Sequence, residues 1–142
     1  TFGMFVTATF LWLEEEGPHS GVVNAGHLPT YIYRKEGNQI EKRMGSSGLP
    51  LGIDPDSQYS MDRLTLMLGD RIILISDGVV EARNDRGEEW GEARLENILL
   101  NQLPNSGAQK LVEVVFHELE KFRGPFALAD DVTMMVVECL NE

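Results

Sequence analysis

Two short acidic segments hold the residues best suited to chemistry in this chain. Ser76-Asp77-Gly78 follows the apolar run Arg71-Ile72-Ile73-Leu74-Ile75, and Asp130-Asp131 precedes Val132-Thr133-Met134-Met135-Val136-Val137. Each places a carboxylate at the mouth of an apolar strand. Two such strand ends side by side converge their carboxylates at a sheet edge, where hard oxygen ligands suit Mg²⁺ or Mn²⁺ far better than a soft metal. That is the pattern of a phosphate-ester hydrolase. Asp-Gly is equally the ordinary chemistry of a turn after a strand, so the residues by themselves leave Asp77 as either ligand or turn former. Asp130 opens a run that reads as a buried strand, where a lone charge costs several kcal/mol unless a metal or hydrogen bonds compensate. Strand alternation sends the Asp130 and Asp131 side chains opposite ways.

Other reactive side chains have plainer readings beside the chemical one. His27, in Asn24-Ala25-Gly26-His27, could donate a proton to a leaving alkoxide, or bond the loop backbone and shape the turn. Gly45-Ser46-Ser47-Gly48 lacks the Gly-Lys-Ser/Thr ending of a phosphate-binding loop and reads as a plain loop. Arg83, close after Asp77 with Glu81 and Asn84, could touch a phosphorylated substrate but reads better as a surface ion pair. Cys139 has no Arg after it, which excludes a Cys-x5-Arg phosphatase loop.

The elements that must position these residues are mostly strands. Residues 4–14 read as a buried strand, Gly17-Pro18-His19-Ser20-Gly21 as a hairpin turn, and residues 22–25 as the returning strand. Residues 30–34 and 40–43 flank Gly37-Asn38 as a second hairpin, and residues 58–68 alternate loosely through Tyr59, Met61, Leu64, Leu66 and Leu68. The runs 71–76 and 130–140 are apolar on both faces, which predicts central strands. A helix over 92–103 carries Leu95, Ile98, Leu99 and Leu103 on one stripe. Ser106 with Gln109 predicts a capping box for a second helix to about Phe122, stopped by Gly124-Pro125. Consecutive strands with both helices between Asp77 and Asp130 predict an α+β fold: an antiparallel, sandwich-like sheet with an antiparallel helix pair on one face.

Composition narrows the partners. The 142 residues, 42% hydrophobic, have the length of one domain. With 23 acidic against 12 basic side chains, the net charge of −11 argues against nucleic acid or an anionic membrane. The apolar opening has no basic stretch before it and is too short to span a bilayer, so no membrane insertion is expected. One cysteine forms no internal disulfide, which agrees with a reducing, cytoplasmic setting.

Four motifs in order, Asn24-Ala25-Gly26-His27-Leu28-Pro29, Gly48-Leu49-Pro50-Leu51-Gly52, Ser76-Asp77-Gly78-Val79-Val80-Glu81-Ala82-Arg83-Asn84 and Asp130-Asp131-Val132-Thr133, give the chain its resemblance to a known family. It resembles bacterial protein phosphatase 2C-like (PPM) domains of the SpoIIE/RsbU branch. The resemblance implies that Asp77 and Asp130 are the catalytic metal ligands, that Gly78, Asp131 and His27 support them or face substrate, and that Mn²⁺ or Mg²⁺ is the cofactor. In that chemistry a pair of divalent ions activates a water for in-line attack at phosphorus, with no covalent enzyme intermediate. It also implies that residues 1–142 form the C-terminal portion of the domain, the family's earlier Asp-Gly-containing strand being absent from this stretch.

The expected function is therefore a metal-dependent phosphoserine/phosphothreonine protein phosphatase of bacterial partner-switching signalling, acting on a phosphorylated anti-sigma-factor antagonist. A non-catalytic interaction module derived from the same fold is the alternative, since only two of the family's carboxylate positions fall within the chain. Unpaired strand edges in a partial domain invite homodimerisation through residues 5–13.

Overall fold

The computed structural model describes residues 3–14, 20–45 and 48–140. Along the chain the described elements are β1 (Ala8–Trp12), β2 (Gly21–Ala25), β3 (Thr30–Arg34), β4 (Gln39–Arg43), β5 (Asp62–Arg63), β6 (Arg71–Ile75), α1 (Asp77–Val80), α2 (Glu92–Gln102), α3 (Ala108–Arg123) and β7 (Met134–Glu138). The strands form a three-stranded sheet ordered β1-β2-β5 and a four-stranded sheet ordered β4-β3-β6-β7. The chain divides into two compact units, Thr1–Thr30 with Lys42–Met67 and Tyr31–Glu41 with Leu68–Glu142. Antiparallel sheets with few helices are the mixed architecture that the residue pattern predicts.

In the first unit β1 and β2 pair antiparallel from Ala8↔Ala25 to Trp12↔Gly21. Most of the predicted turn between them, Gly17 to His19, lies outside the described residues, as do Ser46 and Ser47. The predicted strand 4–14 is shorter than expected and not buried. Its early residue Val6 bridges Leu51 instead, with backbone bonds of 2.9 and 2.8 Å, and Phe10 and Trp12 on β1 are exposed. β1 is an edge strand of the described sheet, so its β-branched and aromatic content reflects pairing along one side, not burial on both faces. The predicted strand 58–68 shrinks to β5, which meets β2 only at Gly21↔Arg63 and Val22↔Asp62. The apolar alternation slips by one between Met61 and Leu64, so one strand face could not have carried all five apolar residues. Leu64 alone of the five apolar residues is buried.

The second unit carries the larger core. β6 lies between β3 and β7, pairing Ile73 with Tyr31 on one side and with Val136 on the other. Ile72, Ile73 and Ile75 are buried, with Tyr31, Ile32 and Tyr33 of β3, so β6 is the central strand expected. β7 is not central: it is the last strand of the described sheet, and Met135 is 56% exposed. Gly37 and Asn38, both at positive φ, turn the chain from β3 into β4, residue types that accept this backbone at low cost.

Helix α3 packs on β7 and on α2. Leu95, Leu99, Leu103, Leu111, Val115 and Leu119 are buried along the two helices. Phe122, expected in this face, is half-buried beneath the Arg94 guanidinium, 4.6 Å from the ring centroid. The predicted capping box does not form: Gly107 occupies the N-cap, and Gln109 bonds Glu113 at 3.2 Å. Gly124 ends α3 as expected, at φ 64° with its amide donating to Glu120.

Candidate active site

The C-terminal end of β6 and the N-terminal end of β7 fall at the same end of the sheet, because the two strands run antiparallel with Ile75 opposite Met134. The turns beyond those ends are joined through Ser76. Its backbone amide donates to the Thr133 carbonyl at 3.0 Å, its hydroxyl donates to the Asp131 carbonyl at 3.0 Å, and the Thr133 amide donates back to the same hydroxyl at 2.9 Å. A hydroxyl offers one donor and two acceptor sites, and this one is used in both senses. Ser76 stands at the N-cap of α1, where serine commonly caps its own helix, yet it makes no such bond here. Its hydroxyl is committed across the gap instead.

Gly78 completes the junction. It is buried, and a Cβ placed on it would collide with the Asp131 carbonyl oxygen and come within 3.3 Å of the Asp130 carbonyl oxygen. Asp77 thereby opens α1 directly beside the segment that carries Asp130 and Asp131. Each of the two leading carboxylates is oriented by the amide of the next residue: Gly78 N–H donates to Asp77 Oδ1 at 2.9 Å, and Asp131 N–H donates to Asp130 Oδ1 at 2.7 Å.

Asp77, Asp130 and Asp131 are all exposed. This corrects the expectation that Asp130 starts a buried strand. β7 begins only at Met134, so the carboxylate keeps its hydration and strand alternation does not set the Asp130 and Asp131 directions. The Asp131 carbonyl meets both Ser76 and Gly78. The donors are hard oxygens that suit Mg²⁺ or Mn²⁺, and among the described residues no group of three His, Cys, Asp or Glu side chains gathers. Mg²⁺ commonly takes one or two protein carboxylates and completes its octahedron with water, which such a pair can serve.

The other candidates are placed differently. His27 lies in the first unit, its Nδ1 3.2 Å from Thr7 Oγ1. The buried Asn24 side chain shapes its loop, accepting from the His27 amide at 2.9 Å and donating to the His27 and Leu28 carbonyls at 3.0 Å. The plain reading of this motif, a turn held by side-chain bonds to its backbone, accounts for Asn24. Arg83 forms the surface ion pair expected, 2.7 Å from Glu89. The sequence reading gave Ser76 no role of its own beside Asp77 and did not single out the buried Trp90. Trp90 donates its backbone amide to Ala82, and Gly91 donates to Val80, folding the 81–91 loop back on α1. A Ser in front of Asp-Gly is a signal only once the opposing strand is known.

Comparison with known proteins gives this geometry its relatives. The family model described as Stage II sporulation protein E (SpoIIE) matches residues 1–140. The chain is 31% identical over 134 residues to Protein IcfG of Synechocystis sp., spanning 94% of this chain and 20% of that protein. It is also 31% identical over 134 residues to the phosphoserine phosphatase RsbU of Bacillus subtilis, spanning 94% of this chain and 39% of RsbU. The phosphatase domain of SpoIIE from Bacillus subtilis, solved after presoaking with Mn, superimposes with a TM-score of 0.72 at 19% identity, covering 96% of this chain and 57% of that one. The chain thus spans well under half of its curated relatives and somewhat over half of a solved phosphatase domain. Matched along nearly its whole length by the family model, and sharing the fold of a solved SpoIIE phosphatase domain, the chain belongs to the SpoIIE family.

Proposed function

We propose that this chain is the C-terminal part of a metal-dependent phosphoserine/phosphothreonine protein phosphatase domain, cytoplasmic, working in bacterial partner switching on a phosphorylated anti-sigma-factor antagonist. The observation that carries this reading is the junction of Ser76-Asp77-Gly78 with residues 130–133, which sets two oriented carboxylates at one end of adjoining strands. Similarity to RsbU, a phosphoserine phosphatase, supports the substrate class.

In this reading Asp77 and Asp130 hold Mn²⁺ or Mg²⁺, each oriented through Oδ1 by a neighbouring amide. The bound ions supply Lewis acidity and a water of lowered pKa. Gly78 keeps the two turns in contact, and Asp131 fixes its own segment through its backbone. The exposure of both carboxylates leaves them open to a phosphorylated segment of another protein. Phe10 and Trp12, exposed on edge strand β1, favour self-association through that strand.

Absence of a three-residue ligand cluster among the described residues favours a second reading, a non-catalytic interaction module. One experiment separates the two. In the full-length protein, Asp77→Asn and Asp130→Asn should each abolish Mn²⁺-dependent phosphate release from a phosphoserine protein while leaving the circular dichroism spectrum unchanged. Full activity in both variants removes the assignment, and an inactive wild-type protein supports the module.

A further inference from the structure

The hydroxyl and the amide of Ser76 bond the opposite segment, and only its carbonyl turns to its own helix, accepting from the Val79 amide at 3.1 Å. Its hydroxyl bonds the Asp131 carbonyl on one side of Val132 and the Thr133 amide on the other, while its amide bonds the Thr133 carbonyl. Besides the packing of Gly78 on its carbonyls and a bond from Arg123 to the Phe126 carbonyl, the segment it grips is loosely held: residues 124–131 are exposed, and β7 pairing starts only at Met134. Without the hydroxyl, the Asp131 carbonyl and the Thr133 amide lose their described side-chain partner, and only the Ser76 backbone bond remains before the β6–β7 ladder begins. Asp130 is then held beside Asp77 only by that backbone bond and by the packing of Gly78 on the Asp131 carbonyl.

We propose that Ser76 is a positioning residue whose hydroxyl sets the separation of the Asp77 and Asp130 carboxylates and so tunes divalent-metal affinity. The proposal rests on the reading of those two residues as a metal-holding pair. Ser76 touches neither metal nor substrate in this scheme. It acts by holding the Asp130 segment, in the way that groups behind a metal's ligands hold the ligands in place.

The test is Mn²⁺ calorimetry on the full-length protein carrying Ser76→Ala or Ser76→Thr, with Asp77→Asn as reference. Ser76→Ala should weaken Mn²⁺ binding about 10–100-fold, the range seen when such supporting groups are lost. It should also raise the Mn²⁺ concentration for half-maximal hydrolysis while largely keeping kcat at saturating metal. Ser76→Thr retains the hydroxyl and should recover most of the affinity. Wild-type affinity in Ser76→Ala, or equal impairment in Ser76→Thr, overturns the positioning role even when Asp77→Asn loses binding. Unchanged binding in Asp77→Asn removes the metal pair itself and the proposal with it. Should Ser76→Ala fail to fold, amide hydrogen exchange on the wild-type protein still decides: the Thr133 amide, on an exposed residue, should be protected, and fast exchange there overturns the latch.

Discussion

Gly78 lies against the backbone of Asp131, so close that a Cβ on the glycine would stand 3.0 Å from the Asp131 carbonyl carbon and collide with its oxygen. The need for glycine here is one of space and not of a left-handed backbone, since Gly78 is not among the positive-φ glycines. Gly78→Ala should therefore push the 130–131 segment outward and destabilise the fold by about 1–3 kcal/mol, the usual cost of overpacking a tight contact. Urea unfolding measures it. A change within about 0.5 kcal/mol of wild type, as at a neutral surface site, would show that the segment yields freely.

Leu99, fully buried on α2, tests whether the helices form part of the second unit's core. Leu99→Ala should cost ~2–5 kcal/mol through lost transfer energy and the cavity left behind. A loss near zero in chemical denaturation would mean that this face is open to a partner.

Asp70 is a buried charge at 2% exposure. It accepts from Arg34 Nη1 at 2.8 Å and from the Lys35 amide at 3.1 Å, while its backbone carbonyl accepts from Cys139. The Glu41 carboxylate, bonded to the Arg34 guanidinium, and then Asp70 raise the arginine's pKa despite its burial. Asp70→Ala should cost about 1–3 kcal/mol, because the Lys35 amide loses its acceptor while Arg34 keeps only its Glu41 partner of the two carboxylates. Arg34→Met combined with Asp70→Leu should lose less than Asp70→Ala alone, because it removes both members of the less exposed pair and leaves only the more exposed Glu41 without its guanidinium. A double variant weaker than the single one would contradict that account.

Burial pushes the Cys139 thiol above its ordinary value, and the nearby Asp70 carboxylate adds to the shift while Arg34 opposes it. The folded state therefore prefers the protonated thiol. Its contribution to stability is fully present below the unfolded thiol's pKa and is lost as pH rises through the higher folded value. Iodoacetamide should alkylate Cys139 more slowly in the native protein than in urea at the same mildly alkaline pH, because the thiolate is the reactive form. Equal rates after correction for the reagent's own urea dependence would argue against the shift.

Much of this protein was legible along the chain. The run 71–76 is apolar at every inner position and became the central strand β6, since only burial on both faces favours such a run. Gly124 ended α3, and Gly37-Asn38 turned β3 into β4, because local backbone freedom decides such points. The two acidic motifs and their order were equally readable.

Tertiary structure decided the rest. An edge strand and a central strand can share one apolar pattern, which is why β1 and β7 read as buried and are not. Ser106 offered a cap that the chain did not use. Neither the bonding of Ser76 to residues 131 and 133 nor the fit of Gly78 against Asp131 follows from local spacing, because both depend on the β6–β7 register. Residue types supply the carboxylates. Their separation is set by long-range strand pairing, and no local propensity encodes that distance.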